Sequence, residues 1–311
     1  MFDVKNYIMS IKPSVLGLKD ISFDLVEKLG GGILNHTYKC VISGKAFVFR
    51  ARGDYISDVN PVKNEYDFLK KIERLNISPK PYYYGKLGGK DFVLLEFISG
   101  KAITEFTDSL IIELARIYAK LHLVKPRGKM GSFYVKRLAD INSKYSRIKS
   151  NISCSQREMI ELVLVNLKCN KMIGERAGII QGDTHRGNII ISEYGLRLID
   201  FDFVSYDDPA LEVAQILSEM GLIGDEKNLF LSEYIRLTND SNLIERIKVY
   251  TPIFYFESLL WCFERQIETK GKEAPEGINP ESFVNEARSR LGNLIALGLI
   301  DKKFKNYYLI K

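Results

Sequence analysis

The chain has 311 residues, 46% apolar and 11% aromatic, enough to bury a large core and to split into two lobes. Its 45 basic and 39 acidic residues, with a formal charge of +6, make a mild excess without the basic stripe of a nucleic-acid binder, and the short ending DKKFKNYYLIK reads as a solvated tail. Four dispersed cysteines without a C-x-x-C pair exclude a zinc ribbon or disulfide framework and fit a reducing cytoplasm, while the opening MFDVKNYIMS lacks a signal-peptide run and no stretch reaches the roughly 18 apolar residues of a membrane helix.

Residues 1–95 read as strand-rich. ISFDLVEKL, TYKCVIS and KAFVFRAR carry β-branched and aromatic residues between glycine-rich breaks. PVKNEYDFLKKIERLN then predicts a helix, with Pro61 in its first turn and Tyr66, Leu69 and Ile72 at helical spacing. A hairpin follows around Gly88-Gly89. After LLEFISGKAI the chain turns mostly helical. SLIIELARIYAKLHLV puts Ile111, Leu114, Ile117 and Leu121 on one face, and residues 158–168 repeat that style. The order is a small β-rich lobe (1–95), a connector (96–100) and a large helical lobe (101–311), an α+β class.

IIQGDTHRGNIIIS interrupts two apolar runs with a short polar loop, an arrangement that core packing does not ask for. Asp183 and Asn188 form D-x-x-x-x-N, and Asp200 follows twelve residues after Asn188 at the end of an apolar, strand-like run. Kinase-type phosphoryl transfer uses such a triple: one aspartate takes the acceptor hydroxyl's proton, while an asparagine and a second aspartate hold magnesium against the phosphates. A hard cation prefers the oxygen donors that an amide carbonyl and a carboxylate supply.

GDTHRGNIII followed by LIDFDFVSYDDPALEVAQ resembles the aminoglycoside phosphotransferase and choline kinase family of small-molecule kinases, with a protein-kinase-like fold. The resemblance implies Asp183 as catalytic base, Asn188 and Asp200 as metal ligands, and a weaker metal-assisting part for Asp202. It implies a nucleotide site in residues 1–95. Gly30, Gly31 and Gly32 would bring backbone N–H groups close to phosphates, with Asn35 and Thr37 resembling the loop of choline kinase-like members. Arg50 in AFVFRARG would fork phosphate oxygens, ahead of its rival Arg52 on the same strand face, with Glu65 as its partner. The backbone of Glu96, Phe97 and Ile98 resembles the hinge that binds adenine. The cofactors implied are ATP, or GTP, and Mg²⁺. The partner is a small-molecule hydroxyl acceptor such as an amino alcohol, sugar or aminoglycoside-like compound, with no nucleic acid and no membrane.

Gln181 stands where many relatives have histidine, and Glu212 where many have aspartate. His122 reads as a packed, hydrogen-bonded histidine. The aromatic run in TPIFYFESLLWCFERQIE reads as core rather than as a cage for a quaternary ammonium, and Glu257 and Glu264 read equally as cation-binding groups or as a solvated face. The rival functions are a nucleotide-binding pseudokinase, an atypical protein kinase, although DFVSYDDPALE leaves no room for an activation segment, and a basic nucleic-acid module.

Overall fold

A computed structural model of the chain describes residues 3–29, 35–53, 61–170, 174–271 and 279–310. The chain divides into two compact units, one of residues 1–125, 178–206 and 219–239, the other of 126–177, 207–218 and 240–311.

In the first unit the expected strands form a five-stranded antiparallel sheet in the order β1-β2-β3-β5-β4. These are β1 (Phe23–Lys28), β2 (Asn35–Ile42), β3 (Lys45–Arg52), β4 (Pro81–Leu87) and β5 (Lys90–Glu96). Two of its hairpins close through two-residue loops, Ser43-Gly44 and Gly88-Gly89, with all four residues at positive φ. That conformation matches the twist of paired strands and suits glycine. Period-two alternation splits β3 between two environments. Phe47, Phe49 and Ala51 enter a core covered by a short N-terminal helix, α1 (Val4–Met9), through Val4 and Ile8. Tyr7 of α1 meets Phe49 and Phe92 edge-on at 5.7 and 5.2 Å. Sequence reading gave this segment no element, because six residues are too few to show a helical period. Arg50 belongs to the alternate set.

α2 (Pro61–Ile72) forms where expected. Its buried stripe is Val62, Glu65, Leu69 and Ile72, whereas Tyr66, assigned to that face from spacing, is only partly buried. A glutamate thus occupies an apolar stripe, which is costly unless a cation meets it. A two-residue strand, β6 (Lys101–Ala102), precedes α3 (Asp108–His122), which is capped by Thr107 and buries Ile111, Leu114, Ile117 and Leu121 as its period predicts.

The second unit holds α4 (Phe133–Ile148) and α5 (Cys154–Cys169), the latter started by a capping box between Ser153 and Gln156. The chain then supplies β7 (Gly178–Ile180), β8 (Ile189–Ser192) and β9 (Gly195–Leu198) to the first unit, where β6, β8 and β9 make a small sheet. α6 (Pro209–Glu219) follows, and α7 (Gly224–Thr238) packs on α3 in the first unit. His122 is buried there and shares a 2.6 Å hydrogen bond with Tyr234, the packed role expected of it.

The second unit closes with α8 (Leu243–Thr269) and α9 (Pro280–Ala296). The aromatic run of α8 is core: Phe256 and Phe263 are fully buried, and Trp261 meets Phe283 of α9 edge-on at 5.5 Å. Arg290 of α9 lies over the Phe254 ring at 4.9 Å, so the chain's own cation takes that aromatic face. Glu257 and Glu264 are not a solvated face. Both are buried and paired within the unit, to Arg137 at 3.3 Å and to Arg147 at 2.7 Å. The basic ending is not a solvated tail either. Phe304 and Ile310 are buried, Gln156 donates to the carbonyls of Tyr307 and Leu309, and Gln266 bonds Tyr308 and Ile310. Apolar residues spaced among the lysines anchor it, which a charge count does not register. Among the described residues no helix is long and apolar enough to cross a membrane.

Candidate active site

All described candidate residues for catalysis, phosphate and metal belong to the first unit. Gly30, Gly31 and Gly32 lie outside the described residues.

The loop of the sequence motif hangs between β7 and β8. Gly182 takes φ +86°, and a Cβ there would stand 2.6 Å from the Phe203 carbonyl oxygen, so the backbone passes too close for any side chain. Asp183 follows. A 3-10 turn, Arg186–Asn188, then reverses the chain and aims Asn188 back. The Asn188 amide donates to the Asp183 carboxylate at 3.1 Å and to its carbonyl at 2.9 Å, leaving the amide oxygen as its acceptor. The Asn188 carbonyl accepts from Ile199 N–H at 2.9 Å, one residue before Asp200. Asp183, Asn188 and the Asp200 segment are therefore one hydrogen-bonded assembly.

Two side chains that sequence reading placed outside the catalytic list brace this loop. Gln181 is fully buried, donates its amide to the carbonyls of Ile199 and Asp200, and accepts from Tyr118 Oη at 2.9 Å. A neutral amide thus ties the loop to the Asp200 segment and to α3. Arg186 donates to the carbonyls of Thr104 at 2.7 Å and Met220 at 2.6 Å and lies over the Phe106 ring. His185 accepts from Gly187 N–H, with its Nε2 3.8 Å from Asp183.

Arg50 of β3 stands at the centre of a second group. It donates to Glu65 of α2 at 2.6 Å, to Asp200 at 3.1 Å and to Asp202 at 2.8 Å. Glu65 also accepts from Phe201 N–H at 3.2 Å. Asp200 has φ +60°, a left-handed conformation that aspartate tolerates better than most residues. Asn35, at the start of β2, donates its amide to both oxygens of Asp202 at 2.8 Å. Thr37 faces Arg50 across the β2–β3 ladder. Glu96 uses its N–H on the Lys80 carbonyl and its carboxylate on Arg197, while Lys39 lies over the Phe97 ring at 4.4 Å.

The charges in this group do not balance. Glu65, Asp200 and Asp202 share one guanidinium. Burial pushes the Asp202 carboxyl well above its ordinary value; Arg50 opposes this, while Asp200, Glu65 and Asp183 add to it. Burial likewise raises Glu65 and Asp183. At Asp183 the His185 charge and the Asn188 hydrogen bond work against the rise, and Asp200 and Glu219 reinforce it. Burial disfavours the Arg50 charge, but its three carboxylates outweigh that and keep it protonated. Glu65 Oε2 is buried with no hydrogen-bond partner among the described residues. An all-oxygen donor set with surplus negative charge fits a hard divalent cation. Among the described residues no three acidic, histidine or cysteine side chains form a cage by themselves. Mg²⁺ ordinarily takes only one or two protein ligands and completes its shell with phosphate oxygens and water.

Residues 26–242 match the model of the phosphotransferase enzyme family. The fold is shared with solved structures of low sequence identity. Choline kinase LicA from Streptococcus pneumoniae superposes with a TM-score of 0.67 at 20% identity, covering 94% of this chain and 99% of its own. Plasmodium vivax ethanolamine kinase gives 0.64 at 16% identity, covering 95% and 88%. Aminoglycoside phosphotransferase APH(4)-Ia, in a ternary complex with AMP-PNP and hygromycin B, gives 0.64 at 11% identity, covering 95% and 98%. No curated protein sequence matches the chain. With its mixed α+β, kinase-like fold and a family match spanning more than two thirds of its length, the chain belongs to the phosphotransferase enzyme family.

Proposed function

We propose that the chain is a kinase that uses ATP and Mg²⁺ to phosphorylate a hydroxyl of a small molecule carrying positive charge, such as an amino alcohol or amino sugar. In this reading residues 1–95 form the nucleotide lobe, 96–100 the hinge, and 101–311 the catalytic and substrate lobe. The observation that carries it is the Asp183–Asn188–Ile199 hydrogen-bonded assembly, which holds one carboxylate for proton transfer beside a second, Asp200, presented for a metal.

Asp183 accepts the proton of the acceptor hydroxyl. Its raised affinity for that proton makes it a stronger base than a solvated aspartate. The Asn188 amide fixes the carboxylate's orientation and leaves its own oxygen, with Asp200, as the ligand pair for the metal. When bound, Mg²⁺ neutralises charge on the phosphates. Arg50, aligned by Glu65, offers a fork of charged donors to phosphate oxygens. Backbone groups of Phe97 and Ile98, with the carbonyl of Glu96, hold the base. Thr37, with Gly30, Gly31 and Gly32, would complete the phosphate side. The preference for a cationic acceptor rests on the surplus of carboxylates around the Arg50 guanidinium, to which Glu219 adds negative field at Asp183. Glu219 was not singled out from the sequence, since a lone glutamate at a helix end is an ordinary surface residue. LicA has been solved in complex with AMP, which supports the nucleotide side of the reading.

ADP release tests the proposal, screened over choline, ethanolamine, amino alcohols, aminoglycosides and neutral sugars. We expect turnover with a cationic acceptor. Asp183→Asn should lower it by about 10²- to 10⁴-fold while ATP still binds. Full turnover in that variant, or binding of ATP without ADP release for every acceptor, overturns the reading.

A further inference from the structure

We infer that Asn35 and Asp202 form a latch that positions Arg50 for the nucleotide, so that Asp202 acts through Arg50 and Asn35 rather than as a metal ligand. This rests on the phosphotransferase reading above and gives Asp202 a task other than the metal-assisting part that the resemblance implied.

The geometry is specific. Asp202 is only 9% exposed, and three contacts from two side chains fall on its oxygens. Asn35 spans both oxygens at 2.8 Å, and Arg50 adds a third contact at 2.8 Å. Asn35 is itself 5% exposed, and its amide nitrogen is committed to Asp202. Asp200, by contrast, keeps a third of its side chain accessible and meets the same guanidinium at the longer distance of 3.1 Å. One carboxylate is therefore embedded in protein donors and the other is presented outward. A cation arriving at this pair finds lone pairs on Asp200 and finds Asp202 covered. Were Asp200 to ligate a metal, the guanidinium would still be held by Glu65 on one nitrogen and Asp202 on the other. Because Asn35 opens the inner strand β2 and Asp202 follows Asp200, the pair also ties the start of β2 to that segment, 167 residues apart in sequence.

A swap experiment tests the latch. The variants Asn35→Ala, Asn35→Asp, Asp202→Asn and the double Asn35→Asp/Asp202→Asn are assayed for KM of ATP, KM of the acceptor and the Mg²⁺ concentration at half-maximal rate. Asn35→Ala should raise KM for ATP about tenfold, the worth of a charge-assisted hydrogen bond, with the acceptor KM and the Mg²⁺ requirement unchanged. Asn35→Asp, which sets two carboxylates face to face, should do worse. The double variant should recover most of that loss, since it rebuilds the pair with donor and acceptor exchanged. If Asp202→Asn shifts the Mg²⁺ requirement and the swap rescues nothing, Asp202 is a metal ligand and the latch is wrong. If Asp202→Asn does not fold, Asn35→Ala alone decides, and an unchanged KM for ATP overturns the proposal. Failure of wild-type turnover with every acceptor would count against the functional reading, whereas normal turnover with an indifferent Asn35 would count against the latch alone.

Discussion

At the scale of single residues, the site depends on groups whose chemistry and surroundings disagree. Glu65 lies in an apolar helical stripe, Asp202 is buried against the start of β2, and Asp200 holds a left-handed backbone. Each is tolerable because Arg50 or a backbone donor meets it. Gly182 is the complementary case, a residue required for what it lacks. Gly182→Ala must relax φ +86° and displace the Phe203 carbonyl, backbone against backbone. We expect a loss of about 2 kcal/mol or more in stability, measured by urea denaturation, together with a large loss of turnover, because Asp183 is the next residue. A variant with wild-type stability and rate would show that the loop has another accessible path. Spacing singled out Asp183, Asn188 and Asp200, and the family resemblance marked Gln181, since the motif is read along one stretch of chain. Arg186 and Glu219 act on groups distant in sequence, and no local pattern marks them.

At the scale of elements, the motif SYDDPALE does more structural work than its sequence announces. Asp208 accepts from Ala210 N–H at the head of α6, a side-chain cap before a helix that opens with proline. The same carboxylate meets Arg246 of α8 at 2.9 Å, and Arg246 reaches Asp240 at 2.7 Å while only 1% exposed. Arg246→Leu leaves two buried carboxylates without their cation and should cost about 3–5 kcal/mol in the second unit, read as an early thermal transition. A variant that melts with the wild type would refute this. Burial raises the Asp208 carboxyl to about 6 against the pull of Arg246. A carboxyl that holds its proton more tightly in the folded chain favours folding at low pH and loses that advantage as the pH rises through its folded value. The stability of the wild type relative to Asp208→Asn should therefore fall between about pH 4 and about pH 6, by at most about 1.4 kcal/mol per pH unit. A difference that grows with pH over that interval would contradict the assignment.

At the scale of the whole molecule, family membership and the fold bound the chemistry but leave the acceptor open, because specificity resides in the parts that relatives do not share. Linkage offers a test that needs no acceptor. ATP with Mg²⁺ at about a hundredfold over its Kd should stabilise the protein by about 2.7 kcal/mol, or about 4 °C in Tm for a chain of this size. Asp200→Ala should keep its own Tm within a few degrees yet lose the Mg²⁺-dependent part of that shift. The same shift in the variant would remove Asp200 from the metal site.

Sequence by itself determined the α+β order of strands then helices, the Gly88-Gly89 hairpin, the α2 and α3 helices and the polar loop between apolar runs, because periodicity, turn chemistry and motif spacing are local properties. Only the tertiary structure decided that α1 covers the sheet, that the basic ending docks, that Glu257 and Glu264 are spent on arginines, and that Asn35 faces Asp202. Those outcomes depend on which buried charge finds which counter-charge across long stretches of chain, and that pairing energy exists only once the fold has brought the partners within hydrogen-bonding distance.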